Sequence, residues 1–158
     1  MRICFVCLGN IVRSPLAENL FRYHATKRGL DHKYEVDSAG TSDWHVGESP
    51  DHRMVTTAAR RGIRIDGSSR QFRYADFDKF DLIIPMDKNN RASLNALAKS
   101  SNEKNKIHLL REFDPKSDSQ ASVPDPYYGG INGFEEVYDI VERSVLGLLN
   151  SLEDRLNR

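Results

Sequence analysis

At 158 residues the chain is the size of one ordinary domain, long enough to bury its own core. Its 23 Lys plus Arg equal its 23 Asp plus Glu, so no global field draws it to nucleic acid or to an anionic membrane, and any anion affinity has to be local. Two cysteines are too few for a disulfide framework and fit a reducing compartment. No apolar run approaches the roughly 18 residues of a membrane span and no basic, apolar leader opens the chain, so a cytoplasmic protein is expected.

Ile3-Cys4-Phe5-Val6 is a short run of β-favouring apolar residues, the pattern of a buried parallel strand ending near Cys7. After a short loop, Ser14 as N-cap and Pro15 at the first helical position start a helix that runs to about Lys27. Glu18 falls one position late for a capping box with Ser14. A second strand is expected over 34–38, then a helix over 51–61 that buries Val55, Ala58 and Ala59, and a third strand over 80–85. Asp87 caps a helix over 88–98, a polar loop covers 99–106, a fourth strand covers 106–110 and a second polar loop covers 115–122. The last helix has the strongest pattern, with Phe134, Val137, Tyr138, Val141, Val145, Leu148, Leu149 and Leu152 along one face. Strands alternating with helices imply an α/β fold whose parallel sheet is covered on both faces and binds ligands at the carboxyl ends of its strands.

The stretch Cys7-Leu8-Gly9-Asn10-Ile11-Val12-Arg13-Ser14-Pro15 lies at such an end. Free backbone N–H groups and the dipole of the following helix favour an anion there, and Gly9 and Asn10 tolerate the left-handed angles that a nest of inward N–H groups needs. Arg13 adds a planar fork for two phosphoryl oxygens. Among those dipoles and that cation Cys7 reads as a thiolate nucleophile aimed at phosphorus. Cys4 and Cys7 also form a Cys-x-x-Cys, but residues three apart on a strand are separated by roughly 10 Å, beyond the roughly 7 Å limit of a disulfide, and no second pair completes a zinc site. Cys4 reads as a buried small hydrophobe.

Displacing an alcohol or phenol from phosphorus requires an acid for the leaving oxygen. Asp114-Pro115 and Asp125-Pro126 are the candidates, each also readable as a plain turn. Asp125 is preferred because Asp125-Pro126-Tyr127-Tyr128-Gly129-Gly130 sets aromatics beside the carboxylate and gives the loop freedom to fold over a site. Trp44 follows strand two and either anchors its loop to the core or stands over the cradle to stack on an aryl group. The five histidines show no metal-ligand spacing and read as surface residues.

Over nearly its whole length the chain resembles the low-molecular-weight protein tyrosine phosphatases. The matching segments are Phe5-Val6-Cys7-Leu8-Gly9-Asn10-Ile11 with Arg13-Ser14-Pro15 and Ala17-Glu18, Asp37-Ser38-Ala39-Gly40-Thr41-Ser42-Asp43-Trp44, Met86-Asp87, and Asp125-Pro126-Tyr127-Tyr128-Gly129. The resemblance implies a three-layer sandwich, a four-stranded parallel sheet flanked by helices, forming a single catalytic domain over 1–158. It implies hydrolysis of phosphotyrosine and small aryl phosphates through a phosphocysteine, with Cys7 as nucleophile, Arg13 as clamp, Asp125 as general acid and Ser14 bonded to the Cys7 sulfur. Leu8, Gly9, Asn10, Ile11 and Val12 would line the cradle, which would take phosphate or sulfate-like anions. Asn10 and Ser38 would hold the loop, Asp87 would orient Arg13, and Trp44, Tyr127 and Tyr128 would wall a deep slot.

No metal or cofactor is implied, and phosphotyrosine proteins are the expected partners of a monomer; the sequence leaves open a weak self-association through Tyr127 and Tyr128. Val12 stands where many relatives carry a protective second cysteine. A supporting histidine of vertebrate members is replaced around Gly67, and Ile11 matches the tyrosine-directed members rather than those acting on phosphoarginine, which carry a threonine there. Two other readings remain: a phosphatase of small phosphoesters or another phosphoamino acid, and a phosphotyrosine-binding module without turnover.

Overall fold

The computed structural model describes residues 1–128 and 131–156, without the side chains of Tyr128, Ile131, Asn132 and Leu156. Strand β1 (Arg2–Cys7) lies at the centre of a parallel sheet, with β2 (Glu35–Gly40) on one side and β3 (Leu82–Pro85) on the other. The register pairs Phe5 with Ser38 and with Ile84, and Cys7 with Gly40. Alternation along β1 sends Ile3, Phe5 and Cys7 into one apolar cluster and Cys4 and Val6 into another, so both faces of the strand are dry.

Helices α1 (Arg13–Lys27) and α6 (Ile131–Leu156) pack together against the first face, and the patterned stripe of α6 from Phe134 to Leu152 is buried there. The second face is closed by Phe77 of α3 (Asp76–Lys79) and Leu94 of α4 (Lys88–Leu97), with Phe72 and Phe80 between them. Helix α2 (His52–Ala59) buries Met54, Thr57 and Ala58, one face at i, i+3, i+4; the expected Ala59 turns outward and Val55 is only half-buried.

The sheet has three laddered strands among the described residues, not the expected four. The 106–110 segment contributes a single bridge, Ile107 to Ile83, made by Ile83 N–H to the Lys106 carbonyl at 2.9 Å and His108 N–H to the Ile83 carbonyl at 3.0 Å. Its neighbours are spoken for. The Lys106 and Ile107 amides close turns onto Glu103 and Lys104, and from Leu110 to Phe113 the chain winds into a 3₁₀ turn. A further departure is α5 (Ser101–Lys104), where a loop is expected. Ser100 Oγ accepts from the Glu103 amide at 3.1 Å while Glu103 Oε1 accepts from the Lys99 amide at 2.7 Å, a reciprocal cap that turns a polar run into a helical turn.

Asp114, one of the two candidate acids, is a structural anchor here. It is 4% exposed, takes two hydrogen bonds from Arg143 of α6 at 2.7 and 2.9 Å, and accepts from the Lys116 amide and Arg111. Burial opposes its ionisation, but the Arg143 bonds, the Lys116 amide and the two guanidinium charges win and hold its carboxyl down from the ordinary 3.8 to about 2. A depressed folded-state value means that this carboxylate stabilises the fold above about pH 4 and that the contribution, about 2 kcal/mol, is lost as pH falls toward 2. Urea unfolding of Asp114→Asn is expected to show a loss of about 2 kcal/mol at pH 7, because the half-buried Arg143 and the Lys116 amide lose their carboxylate, and a flatter stability profile between pH 4 and 2 than the parent. Parallel profiles for the two proteins would contradict this role.

Candidate active site

Because β2 and β3 flank β1 on opposite sides, the loop that leaves β1 emerges at the crevice where the chain's connections diverge, the place where parallel sheets bind ligands. Residues 8–12 join β1 directly to α1, and almost every carbonyl in this loop is turned outward onto a partner. The Cys7 carbonyl accepts from Thr41 N–H (2.9 Å), Leu8 from Ser42 N–H and Oγ (3.0 and 2.9 Å), Gly9 from Ser69 Oγ (2.9 Å), Ile11 from Asp51 N–H (2.7 Å) and Val12 from Leu16 N–H (3.3 Å). With the carbonyls committed outward, the amides of Leu8, Gly9, Ile11, Val12 and Arg13 make no bond to a protein acceptor among the described residues, and the Asn10 amide points at Cys7 Sγ at 3.3 Å.

Helix α1 begins at Arg13 with Val12, not Ser14, at its N-cap, and no side chain caps it. A cap would consume the N–H groups that the loop presents to an anion, and Pro15 in the first turn has none to satisfy. Among the described residues Asn10 is the non-glycine residue with positive φ, at 57°, and it supplies the left-handed turn of the nest. Gly9 is not left-handed, contrary to expectation; a Cβ there would lie 2.9 Å from the ring carbon His45 Cδ2 and push that side chain aside. Gly40 is needed for space, because a Cβ there would stand 2.7 Å from the Leu8 carbonyl oxygen and displace the loop.

Ser14 is instead spent on the sulfur. Its Oγ lies 3.0 Å from Cys7 Sγ, 2.8 Å from Asn10 Nδ2 and 3.4 Å from the Ala39 carbonyl. Asn10 is fixed in orientation, because its Oδ1 accepts from the Arg70 amide at 3.0 Å and a backbone N–H only donates. Its Nδ2 therefore donates to both Ser14 and Ser38 (2.9 Å), and Ser38 donates in turn to Glu18 Oε1 at 2.7 Å. Asn10 fills an acceptor site on Ser14, which leaves the Ser14 hydroxyl proton to the sulfur whenever Cys7 is ionised. Glu18, one helical turn after Ser14, anchors this relay and is itself paired with Arg22 at 2.6 Å.

Arg13 is 3% exposed and is aimed from below. Its Nη1 donates to Asp87 Oδ2 at 2.7 Å and to the Val123 carbonyl at 3.0 Å, while Nη2 lies 4.0 Å from Asp125 Oδ2. Asp87 both orients the guanidinium and caps α4 through the Asn90 amide at 2.7 Å, which ties the clamp to a rigid helix. Asp125 Oδ1 accepts from the Tyr127 amide at 3.0 Å, so Oδ2 is the oxygen that faces the cleft. A cleft of about 220 Å³ is lined by Cys7, Leu8, Gly9, Ile11, Val12 and Arg13 of the loop and by Trp44, His45, Asp125 and Tyr127. Trp44 is 72% exposed and so does not anchor its loop in the core. The Tyr128 side chain lies outside the described residues.

Cys7 has no second sulfur beside it. Cys4 projects into the opposite cluster, both cysteines are free, and burial pushes the Cys4 thiol well up from its ordinary value against the lowering pull of Arg70. The loop is supported from the 66–71 segment by Ser69 and Arg70, while Arg70 is held by Asp37 (3.1 Å) and Asp76 (3.0 Å). Nothing in the local sequence pattern marks Ser69, Arg70 or His45 as part of the site. Glu18 had a detectable signal, its i+4 spacing from Ser14. Among the described residues no group of three or more His, Cys, Asp or Glu side chains is placed to hold a metal, and no helix is long and apolar enough to cross a membrane.

Residues 2–158 match the family model described as low molecular weight phosphotyrosine protein phosphatase. A Streptomyces coelicolor relative named low molecular weight protein-tyrosine-phosphatase is 42% identical over 156 residues, which are 98% of this chain and 95% of that protein. The Bacillus subtilis relative of the same description, YfkJ, is 44% identical over 153 residues, 96% and 95% of the two chains. Among solved structures, a protein tyrosine phosphatase from Entamoeba histolytica with Hepes in its active site superposes with a TM-score of 0.92 at 40% identity, covering 98% of this chain and 97% of that one.

Proposed function

The chain belongs to the low molecular weight phosphotyrosine protein phosphatase family, and on that footing we propose that its cleft hydrolyses phosphotyrosine in two displacements at phosphorus. In the first, the Cys7 thiolate forms an S–P bond while the P–O bond to the phenol breaks, and Asp125 gives its proton to the departing oxygen. In the second, water attacks phosphorus, its proton passes to Asp125, the S–P bond breaks and phosphate leaves. The Ser14 hydroxyl steadies the returning thiolate. The amides of residues 8–13 and the Arg13 fork meet the equatorial oxygens, where charge spreads in the transition state.

The observation that carries this reading is the set of loop amides around Cys7 that meet no protein acceptor among the described residues, beside a buried Arg13 and a carboxylate 4.0 Å from it. The rim of Trp44 and Tyr127 favours an aryl ester long enough to reach the floor, and Ile11 gives that passage an apolar wall. The protein acts as a single domain in a reducing, cytoplasmic compartment where a free Cys7 persists, as a monomer whose exposed Tyr127 rim offers a weak contact to a second copy.

Matched peptides that differ only in carrying phosphotyrosine or phosphoserine test the substrate class. Turnover of the phosphotyrosine peptide alone is expected, and Trp44→Ala should lower its kcat/KM by roughly 3- to 10-fold through the lost ring contact. Equal rates on phosphoserine would overturn the reading.

A further inference from the structure

Beside the cleft, on the far side of Tyr127, lies a second groove of about 360 Å³. Its walls include His52, Arg53, Thr56 and Arg60 of the α2 segment, with Tyr127 and Phe134 opposite, and no carboxylate is among its lining residues. The two cations differ in kind. Arg53 is already neutralised, gripped by Asp51 through bonds of 2.9 and 3.1 Å and stacked between the rings of Tyr127 (4.7 Å) and Phe134 (4.8 Å), so it forms a fixed partition. Arg60 is exposed and makes no ion pair among the described residues, and the nearby carboxylates of Glu135 and Asp139 are taken by Arg61. The groove thus presents one unspent guanidinium, the imidazole of His52 and the hydroxyl of Thr56, with nothing anionic of its own to answer them.

The partition is also a link to the catalytic loop. Asp51, which grips Arg53, donates its amide to the Ile11 carbonyl, so the groove segment is hydrogen-bonded to the cradle loop and the two share Tyr127 as their common wall. A polypeptide whose phosphotyrosine enters the cleft and leaves past Tyr127 runs into the groove.

We propose that this groove is a subsite for the substrate polypeptide, taking an acidic side chain that flanks the phosphotyrosine and pairing its carboxylate with Arg60. The proposal rests on the phosphotyrosine reading and extends it to the sequence around the modified residue. It makes the enzyme selective among phosphotyrosine proteins without touching the chemistry, since a small aryl phosphate is consumed in the cleft alone. Exposed charge pairs contribute modestly and are screened by salt, so the selectivity is expected to be a few-fold at low ionic strength and to fade above physiological salt.

The experiment compares the full chain and its Arg60→Glu and Arg60→Gln variants on three substrates: p-nitrophenyl phosphate, a phosphotyrosine peptide flanked by glutamates, and the same peptide flanked by lysines. The parent should favour the acidic peptide by roughly 5-fold in kcat/KM, Arg60→Gln should abolish the preference and Arg60→Glu should reverse it, with p-nitrophenyl phosphate turned over by all three within about 2-fold. A parent that does not discriminate, or a preference that survives Arg60→Glu, would overturn the subsite. So would turnover of p-nitrophenyl phosphate with neither peptide cleaved. Failure of the parent on p-nitrophenyl phosphate itself would instead refute the phosphatase mechanism on which the subsite rests.

Discussion

Cys7→Ser is expected to turn over aryl phosphates at least about 10⁴-fold more slowly than the parent while keeping its fold and its grip on phosphate. The sulfur is 3% exposed in the wall of the core, and a serine oxygen occupies the same place and keeps the neighbours that the sulfur has, the Ser14 hydroxyl at 3.0 Å and the Asn10 amide at 3.3 Å. Stability should therefore change by no more than about 1 kcal/mol. What is lost is the nucleophile, because among the described residues the hydroxyl's neighbours would be the Ser14 hydroxyl and the Asn10 amide, neither of them a base that ionises it. The amides of residues 8–13 and Arg13 are untouched, and a serine hydroxyl brings no charge beneath a phosphate dianion. Calorimetric titration with inorganic phosphate should accordingly give binding at least as tight as in the parent. Retained turnover would remove Cys7 from the chemistry, and lost phosphate binding would mean that the loop depends on the sulfur for its shape.

Replacing Asp125 by Ala should separate substrates by their leaving groups. Asp125 Oδ1 is held by the Tyr127 amide and Oδ2 faces the cleft 4.0 Å from Arg13, which on the proposed mechanism is the side from which the ester oxygen departs. With phenyl phosphate, whose phenoxide needs a proton, kcat is expected to fall by about 10²- to 10⁴-fold. With p-nitrophenyl phosphate, whose phenolate leaves unaided, bond cleavage should be slowed far less, and a slowed second step should let the phosphorylated enzyme accumulate. Equal losses on the two substrates would exclude proton donation by Asp125. The parallel prediction for Asp114 is negative: buried against Arg143 and absent from the cleft lining, it should affect stability and leave the leaving-group dependence unchanged.

The catalytic loop is legible in the sequence because its parts are contiguous. Strand, turn and helix start must each be built from residues with the right local preferences, and Cys7, Asn10, Arg13 and Pro15 announce them within one short stretch. Asp125 and Trp44 were harder to read because their meaning depends on which loops the sheet brings together. For Trp44 the choice between core anchor and cleft wall is made by exposure, which no local pattern encodes. Ser14 shows how the same residue type serves two ends, since a serine before a proline reads as a cap while the hydroxyl is in fact committed to Cys7 and Asn10.

The supports from Ser69 and Arg70 act through a backbone amide and a hydroxyl across 60 residues of chain, and no spacing rule reaches so far. The same limit explains the fourth strand. Lys106 to Leu110 has the composition of a strand, but competing turns on either side leave a single bridge to β3. The last helix needed no such context, because its apolar stripe is long and regular enough to specify both the element and its buried face.

The central claim is that phosphorus passes through the sulfur of Cys7. Quenching the parent in acid during turnover of p-nitrophenyl phosphate, then digesting and weighing its peptides, should place a phosphate on the peptide that contains Cys7, with more of it in Asp125→Ala and none in Cys7→Ser. Steady turnover with no phosphate on that peptide, or with phosphate on any other residue, would contradict it.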